Sequence, residues 1–130
     1  MNRVDAHITG ERESDNVRKF YDRQVLENPD IPAILGVSNR LAADLRDREE
    51  WKIFTKLVTL RRHMDVLELG CGGGRWCEHL APLVRSVTGI DFSTNALAHA
   101  RKSAQERRIG NIEYHALSVD QFRPTRFYDL

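Results

Sequence analysis

Apolar positions recur at helical spacing from residue 14 onward, where Val17, Phe20, Tyr21, Val25 and Leu26 fall on neighbouring turns. Ser14 or Asp15 stands where an N-cap belongs, and Pro29 and Pro32 end the segment. Residues 1–14 hold many charges and few apolar anchors, a pattern that predicts disorder. A second amphipathic run covers residues 38–60, with Leu41, Leu45, Trp51, Phe54, Leu57, Val58 and Leu60. The charged stretch Arg46-Asp47-Arg48-Glu49-Glu50 is the point at which it could divide in two.

The period then changes. Residues 65–69 predict a first strand and residues 75–84 a helix, with Trp76, Leu80 and Leu83 facing inward and Pro82 near its last turn. Residues 87–90 predict a second strand, stopped by Asp91. Residues 93–108 predict a helix with Leu97, Ala98, Ala100 and Ala104 on one side, terminated by Gly110. A third strand is predicted over 112–116 and the start of a fourth over 127–130. Strands alternating with helices after a helical lead-in predict an α/β fold. Its core is a Rossmann-like doubly wound parallel sheet with right-handed crossovers, cut off at the start of strand 4 and preceded by a helical cap. Residues 1–60 form the tail and cap, and 61–130 the partial sheet domain. A ligand of such a sheet sits at the carboxyl ends of the strands, near the point where strand order reverses.

Composition narrows the choice of partner. The 130 residues are one domain or part of one, and 41% apolar with 30% charged residues is ordinary for a soluble protein. A net charge of +1 gives no basic surface for nucleic acid, and Arg61-Arg62 and Arg107-Arg108 read as solvated helix ends. No apolar stretch approaches the roughly 20 residues that span a bilayer, and residues 1–16 lack a signal-peptide core. Cys71 and Cys77 form neither a disulfide framework nor a four-ligand metal set, so they read as packing residues in a reducing cytoplasm.

The chemistry lies in Val66-Leu67-Glu68-Leu69-Gly70-Cys71-Gly72-Gly73-Gly74. An apolar strand ending in alternate glycines turns tightly into a helix and lets a ligand approach the backbone. Glu68 near the end of the first strand and Asp91 at the end of the second emerge at one edge of a parallel sheet. An acid at the second strand end suits the two hydroxyls of a ribose. A dinucleotide fingerprint needs a third glycine where Arg75 stands, and no Gly-Lys-Ser/Thr follows for a phosphate loop. An acid beside such a loop disfavours phosphate and fits a ligand that carries an ammonium group and a sulfonium.

The glycine run resembles the first motif of class I S-adenosylmethionine-dependent methyltransferases, and Val87-Thr88-Gly89-Ile90-Asp91-Phe92-Ser93 resembles the element after it. Asn111-Ile112-Glu113-Tyr114 and Phe127-Tyr128-Asp129-Leu130 resemble the third strand and the start of the fourth. The resemblance implies S-adenosylmethionine as cofactor, held by Glu68, Gly70, Cys71, Gly72, Asp91, Phe92 and Ser118. Gly70 and Gly72 would lie against its methionine part, Glu68 would meet the amino group and Asp91 the ribose hydroxyls. Phe92 would pack on the adenine. The register where this family often has an adenine-binding Asp falls at Ser118, with Asp120 two residues later, which leaves that contact open between them.

Phe20-Tyr21-Asp22 resembles the aromatic stretch of an N-terminal helix that caps the active site in small-molecule members; the alternative is that Phe20 and Tyr21 only dock the helix. Arg40 and Arg48 either meet the cofactor carboxylate or lie on a solvated face. His63, His79 and His99 read as surface groups, and His115 as a strand histidine near the pocket edge, structural or a base. The implied reaction is methyl transfer to an O or N of a small-molecule acceptor. The alternatives are a non-catalytic module that binds S-adenosylmethionine or S-adenosylhomocysteine, and a nicotinamide-dependent oxidoreductase. The resemblance covers about half of the chain and stops ahead of the region that usually carries the catalytic base. The expectation is therefore a cofactor-binding half that alone transfers methyl groups poorly. Its uncovered parallel edge favours a longer parent or self-association.

Overall fold

Three parallel strands form the sheet, at the positions that the apolar runs predict. The computed structural model describes residues 5–27 and 39–130, without the side chains of 5–14 and 25. Pro29, Pro32 and Ser38 lie outside the described residues. Strands β1 (Asp65–Leu69), β2 (Ser86–Asp91) and β3 (Ile112–Ala116) pair in the order β1-β2-β3. Glu68 stands opposite Gly89, and Asp91 opposite Ala116. Strand β2 thus runs one residue past its predicted stop, because Asp91 still pairs with β3. Val66, Val87, Ile90 and Leu97 are almost fully buried, and Cys77 and Leu80 pack beside Val66, Val87 and Leu97.

Residues 127–130 follow β1 along the edge that β2 leaves free. The Asp129 N–H donates to the Asp65 carbonyl at 2.8 Å, and the Leu67 N–H to the Leu130 carbonyl at 2.9 Å. Both contacts advance in the same direction, so the segment runs parallel to β1 as the expected fourth strand would. It forms these two bonds rather than a regular ladder.

Helix α1 (Asp5–Glu27) begins nine residues before the predicted start, so the backbone of 5–14 is helical and not disordered. Ser14 and Asp15 are interior residues, not caps. Extending a helix once nucleated needs no apolar anchor, which is why a search for such anchors missed this part. Helix α2 (Arg40–Leu57) starts at an Asn39 cap whose side chain accepts the Ala42 N–H at 2.8 Å. Its charged stretch does not divide it. Asp47 and Glu50 point to Arg75, and Arg46 pairs with Glu50 one turn on. Trp51 and Phe54 of α2 meet Trp76 at ring separations of 5.5 and 4.9 Å, fastening α2 to helix α3 (Arg75–Leu80).

A 3₁₀ turn (Ala81–Leu83) with Pro82 at its start follows α3, and Leu83 is 41% exposed rather than facing inward. Helix α4 (Thr94–Glu106) buries Ala96, Leu97, Ala100 and Ala104, whereas Ala98 lies exposed. Its end differs from prediction. Arg108, not Gly110, takes the left-handed conformation, with φ of 57°. The Ile109 N–H returns to the Ala104 carbonyl at 2.9 Å and the Arg108 N–H to that of Gln105 at 3.0 Å. This is a Schellman ending, closed by Ile109 packing against the core.

Candidate functional site

The glycine loop between β1 and α3 is bolted to the end of β2. Gly70 and Gly72 take φ of 73° and 51°, which side-chain-bearing residues rarely adopt. With that backbone, the Gly70 and Cys71 N–H groups both donate to the Ile90 carbonyl, at 2.7 and 2.9 Å. The Gly72 N–H donates to Asp91 Oδ2 at 2.8 Å, and the Ser93 N–H to Oδ1 at 2.8 Å. Asp91 is 9% exposed and anchored through both oxygens. Each oxygen keeps a further lone pair, so the carboxylate still has room for two donors. A Cβ on Gly70 would meet nothing within 4 Å, so open space faces the first glycine. Gly74 is the opposite case: a Cβ there would lie 2.9 Å from Ala100 Cβ and also collide with the Tyr114 hydroxyl. Close packing of helix and strand thus falls on Gly74, one residue before the place that dinucleotide spacing assigns to it. Arg75 turns away to Asp47 and Glu50.

Glu68 lies on the helix side of β1. The Cys77 thiol donates to its Oε2 at 2.9 Å. Burial raises the Glu68 pKa above its ordinary value and the nearby Asp91 charge adds to the rise, while Cys77 and Arg75 oppose it. Cys71 is buried with its sulfur against the same interior spot beside Gly89 as that of Cys77. Its side chain therefore faces the core, and its N–H is spent on Ile90. The contact with Cys71, burial and the Glu68 charge all push the Cys77 thiol up.

Phe92 is half-buried under α1. Tyr21 meets its ring edge-on at 6.2 Å, and the Arg18 guanidinium stands 5.8 Å over it. Ser93 donates its hydroxyl to Asp22 of the same helix. Tyr21 and Asp22 thus join the region around Phe92, while Phe20 is 57% exposed. Ser118 and Asp120, read from sequence as alternatives, form one pair: the Ser118 hydroxyl donates to the Asp120 carboxylate and holds its pKa below the usual value. The Leu117 N–H donates to the Asp91 carbonyl at 3.0 Å, which brings this turn beside the acid.

Other candidates lie elsewhere. His115 is exposed, 3.8 Å from Glu113, and His63 and His99 are exposed. His79 is not a free surface group, since it bonds Asp47 at 2.8 Å and stacks on Trp51 at 4.8 Å. Arg40 lines a polar cavity of about 240 Å³ between α2, α3 and α4, together with Glu78 and Arg107, and Arg48 is exposed. Among the described residues no group of three or more potential ligands could hold a metal ion, and no helix is long and apolar enough to cross a membrane. Sequence reasoning missed Arg18 and Ser93. Ser93 carried a signal, an N-cap residue two places after the strand-end acid Asp91. Arg18 carried none.

A family model described as a methyltransferase domain matches residues 66–130. The ubiquinone biosynthesis O-methyltransferase of Albidiferax ferrireducens is 42% identical over 55 residues, 42% of this chain and 22% of that protein. The chain therefore spans about a quarter of the length of the curated relatives it matches. Among solved structures, phosphoethanolamine N-methyltransferase 1 of Haemonchus contortus, in complex with phosphoethanolamine and S-adenosylhomocysteine, superposes with a TM-score of 0.76. It is 20% identical and covers 95% of this chain and 25% of its own. The N-methyltransferase NodS of Bradyrhizobium japonicum, in complex with S-adenosylhomocysteine, gives 0.62 at 21% identity over 88% of this chain and 54% of its own. At such identities the likeness is one of fold.

Proposed function

Because the chain belongs to the methyltransferase-domain family, we propose that it binds S-adenosylmethionine over the glycine loop and serves methyl transfer to an O or N of a small-molecule acceptor. The observation that carries this reading is Asp91: a strand-end carboxylate, pinned by two N–H groups, with acceptor capacity left over and open space beside it at Gly70. A fixed acceptor pair suits vicinal hydroxyls. Two carboxylates at one strand edge favour an ammonium and a sulfonium over a pyrophosphate. The cofactor supplies a methyl group already activated on positively charged sulfur.

The chain's own residues then have to bind and orient. Asp91 accepts from the ribose hydroxyls. The turned backbone at Gly70 and Gly72 admits the methionine part without a side chain in the way. Glu68 meets the amino end, its carboxyl held in place by the Cys77 thiol. Phe92 packs on the adenine, with the Ser118–Asp120 pair at its rim. Helix α1 keeps water from the adenosine end, which helps any reaction that must exclude it. A small acceptor is favoured by a net charge of only +1, which gives no excess of basic groups for nucleic acid. The names of the relatives, which concern ubiquinone biosynthesis and phosphoethanolamine, point the same way. The two buried free cysteines suit a reducing cytoplasm.

Titration calorimetry with S-adenosylhomocysteine and with NAD tests this directly. Binding of the former and not the latter is expected. Asp91→Ala should weaken S-adenosylhomocysteine about tenfold or more, the loss of two hydrogen bonds to a charged acceptor. Circular dichroism of the variant confirms that it is folded. Preferential NAD binding, or an unchanged dissociation constant in folded Asp91→Ala, would overturn the reading.

A further inference from the structure

We infer that Asp22 is a positioning residue for Asp91, acting through Ser93, so that the seating of α1 sets the grip on the ribose. This rests on the reading of Asp91 given above. Ser93 is 2% exposed and makes four hydrogen bonds at once, one of them from the Leu97 N–H to its carbonyl at 3.1 Å. Its N–H donates to Asp91 Oδ1 at 2.8 Å. Its oxygen accepts the Ala96 N–H at 3.1 Å and so caps α4. Its only proton goes to Asp22, 71 residues earlier in the chain.

A hydroxyl has one proton to give, and Asp22 decides where it goes. With the proton directed at α1, a lone pair of Ser93 stays aimed at the first turn of α4. The β2–α4 turn is then fixed, and with it the N–H that holds Oδ1 of Asp91. Without Asp22 the buried hydroxyl must find another acceptor, since leaving its donor unpaired is costly. The carboxylate already bonded by the Ser93 backbone is that of Asp91. A Ser93 proton turned onto Asp91 would take a lone pair that a ribose hydroxyl needs. The same helix also covers the residue between them, through Tyr21 and Arg18 against Phe92. Asp91, Phe92 and Ser93 are thus all held, directly or at one remove, by α1.

The experiment compares S-adenosylhomocysteine with its 2′-deoxy analogue on the full chain by calorimetry. Asp22→Ala should reduce the preference for the ribose form about threefold or more, the worth of one weakened hydrogen bond. Asp22→Asn keeps an acceptor oxygen for Ser93 and should restore the preference to within about twofold of the unmodified protein. Arg23→Ala removes only the exposed Arg23–Glu27 pair of the same helix and should leave the preference unchanged. A merely structural role of α1 would lower both affinities in proportion. Equal loss for the two ligands in Asp22→Ala, or no loss for either, overturns the inference and leaves the proposed function standing. If the unmodified chain binds neither ligand, the proposed function fails, and this inference with it.

Discussion

On the proposed reading, Glu68 serves the ligand at the expense of the free protein. Its carboxyl is buried against Cys77 with its pKa raised. An acid whose folded pKa is raised lets the unfolded chain lose its proton first. Stability therefore falls as pH rises from the ordinary value of 4.5, and levels off above the folded one. Glu68→Gln keeps the shape and removes that penalty. Thermal melts of the ligand-free protein should show a higher Tm for Glu68→Gln at neutral pH and a difference that closes toward pH 4. The same variant should bind S-adenosylhomocysteine more weakly, since a neutral amide attracts an ammonium less. A variant both less stable at neutral pH and equally tight would show that Glu68 faces no such conflict. The place of Glu68 was legible in the sequence, because an acid two places before a glycine turn is a local pattern. The Cys77 partner was not, since neither cysteine's direction follows from spacing.

At the scale of the element, the strands were legible and the helix ends were not. β1 and β3 match their predicted limits because short apolar runs between breakers leave little choice. α1 and α4 depart at the ends, where backbone conformation decides. Gly110 has the residue type of a C-terminal stop, yet Arg108 occupies the left-handed position while Ile109 reaches the core. The apolar contact of Ile109 fixes the register of the ending and forces the conformation on whatever residue precedes it. Arg108→Gly should therefore stabilise the protein by about 0.5–1 kcal/mol, because glycine adopts that conformation without the Cβ clash, less its own entropy cost. A Tm rise of a few degrees is the expected reading, and a fall would mean that the Arg108 side chain contributes more than its strain costs. The α2–α3 contact was half legible. The aromatic positions on both helices were plain, but their pairing across the Asp47–Arg75 contact needed the fold.

At the scale of the whole molecule, contacts between residues distant in sequence define the site. The Asp22–Ser93 bond and the Tyr21–Phe92 contact join the first helix to the turn after the second strand, and no local pattern announces them. The family resemblance supplied the expectation that an N-terminal helix covers the site, and it left open whether the aromatics only dock. What the sequence could carry was the half from Asp65 onward, whose strands and loop follow one another directly. The Ile90 carbonyl has the widest reach of the remaining features. It receives two consecutive amides, from Gly70 and Cys71, while the next amide goes to Asp91. The loop's conformational entropy is thus lost when the sheet forms, not when a ligand arrives. Exchange of the Gly70, Cys71 and Gly72 amides with deuterated solvent should proceed only through global unfolding, even without ligand. Rapid exchange at these three positions in the ligand-free chain would mean that the cradle is assembled by its guest.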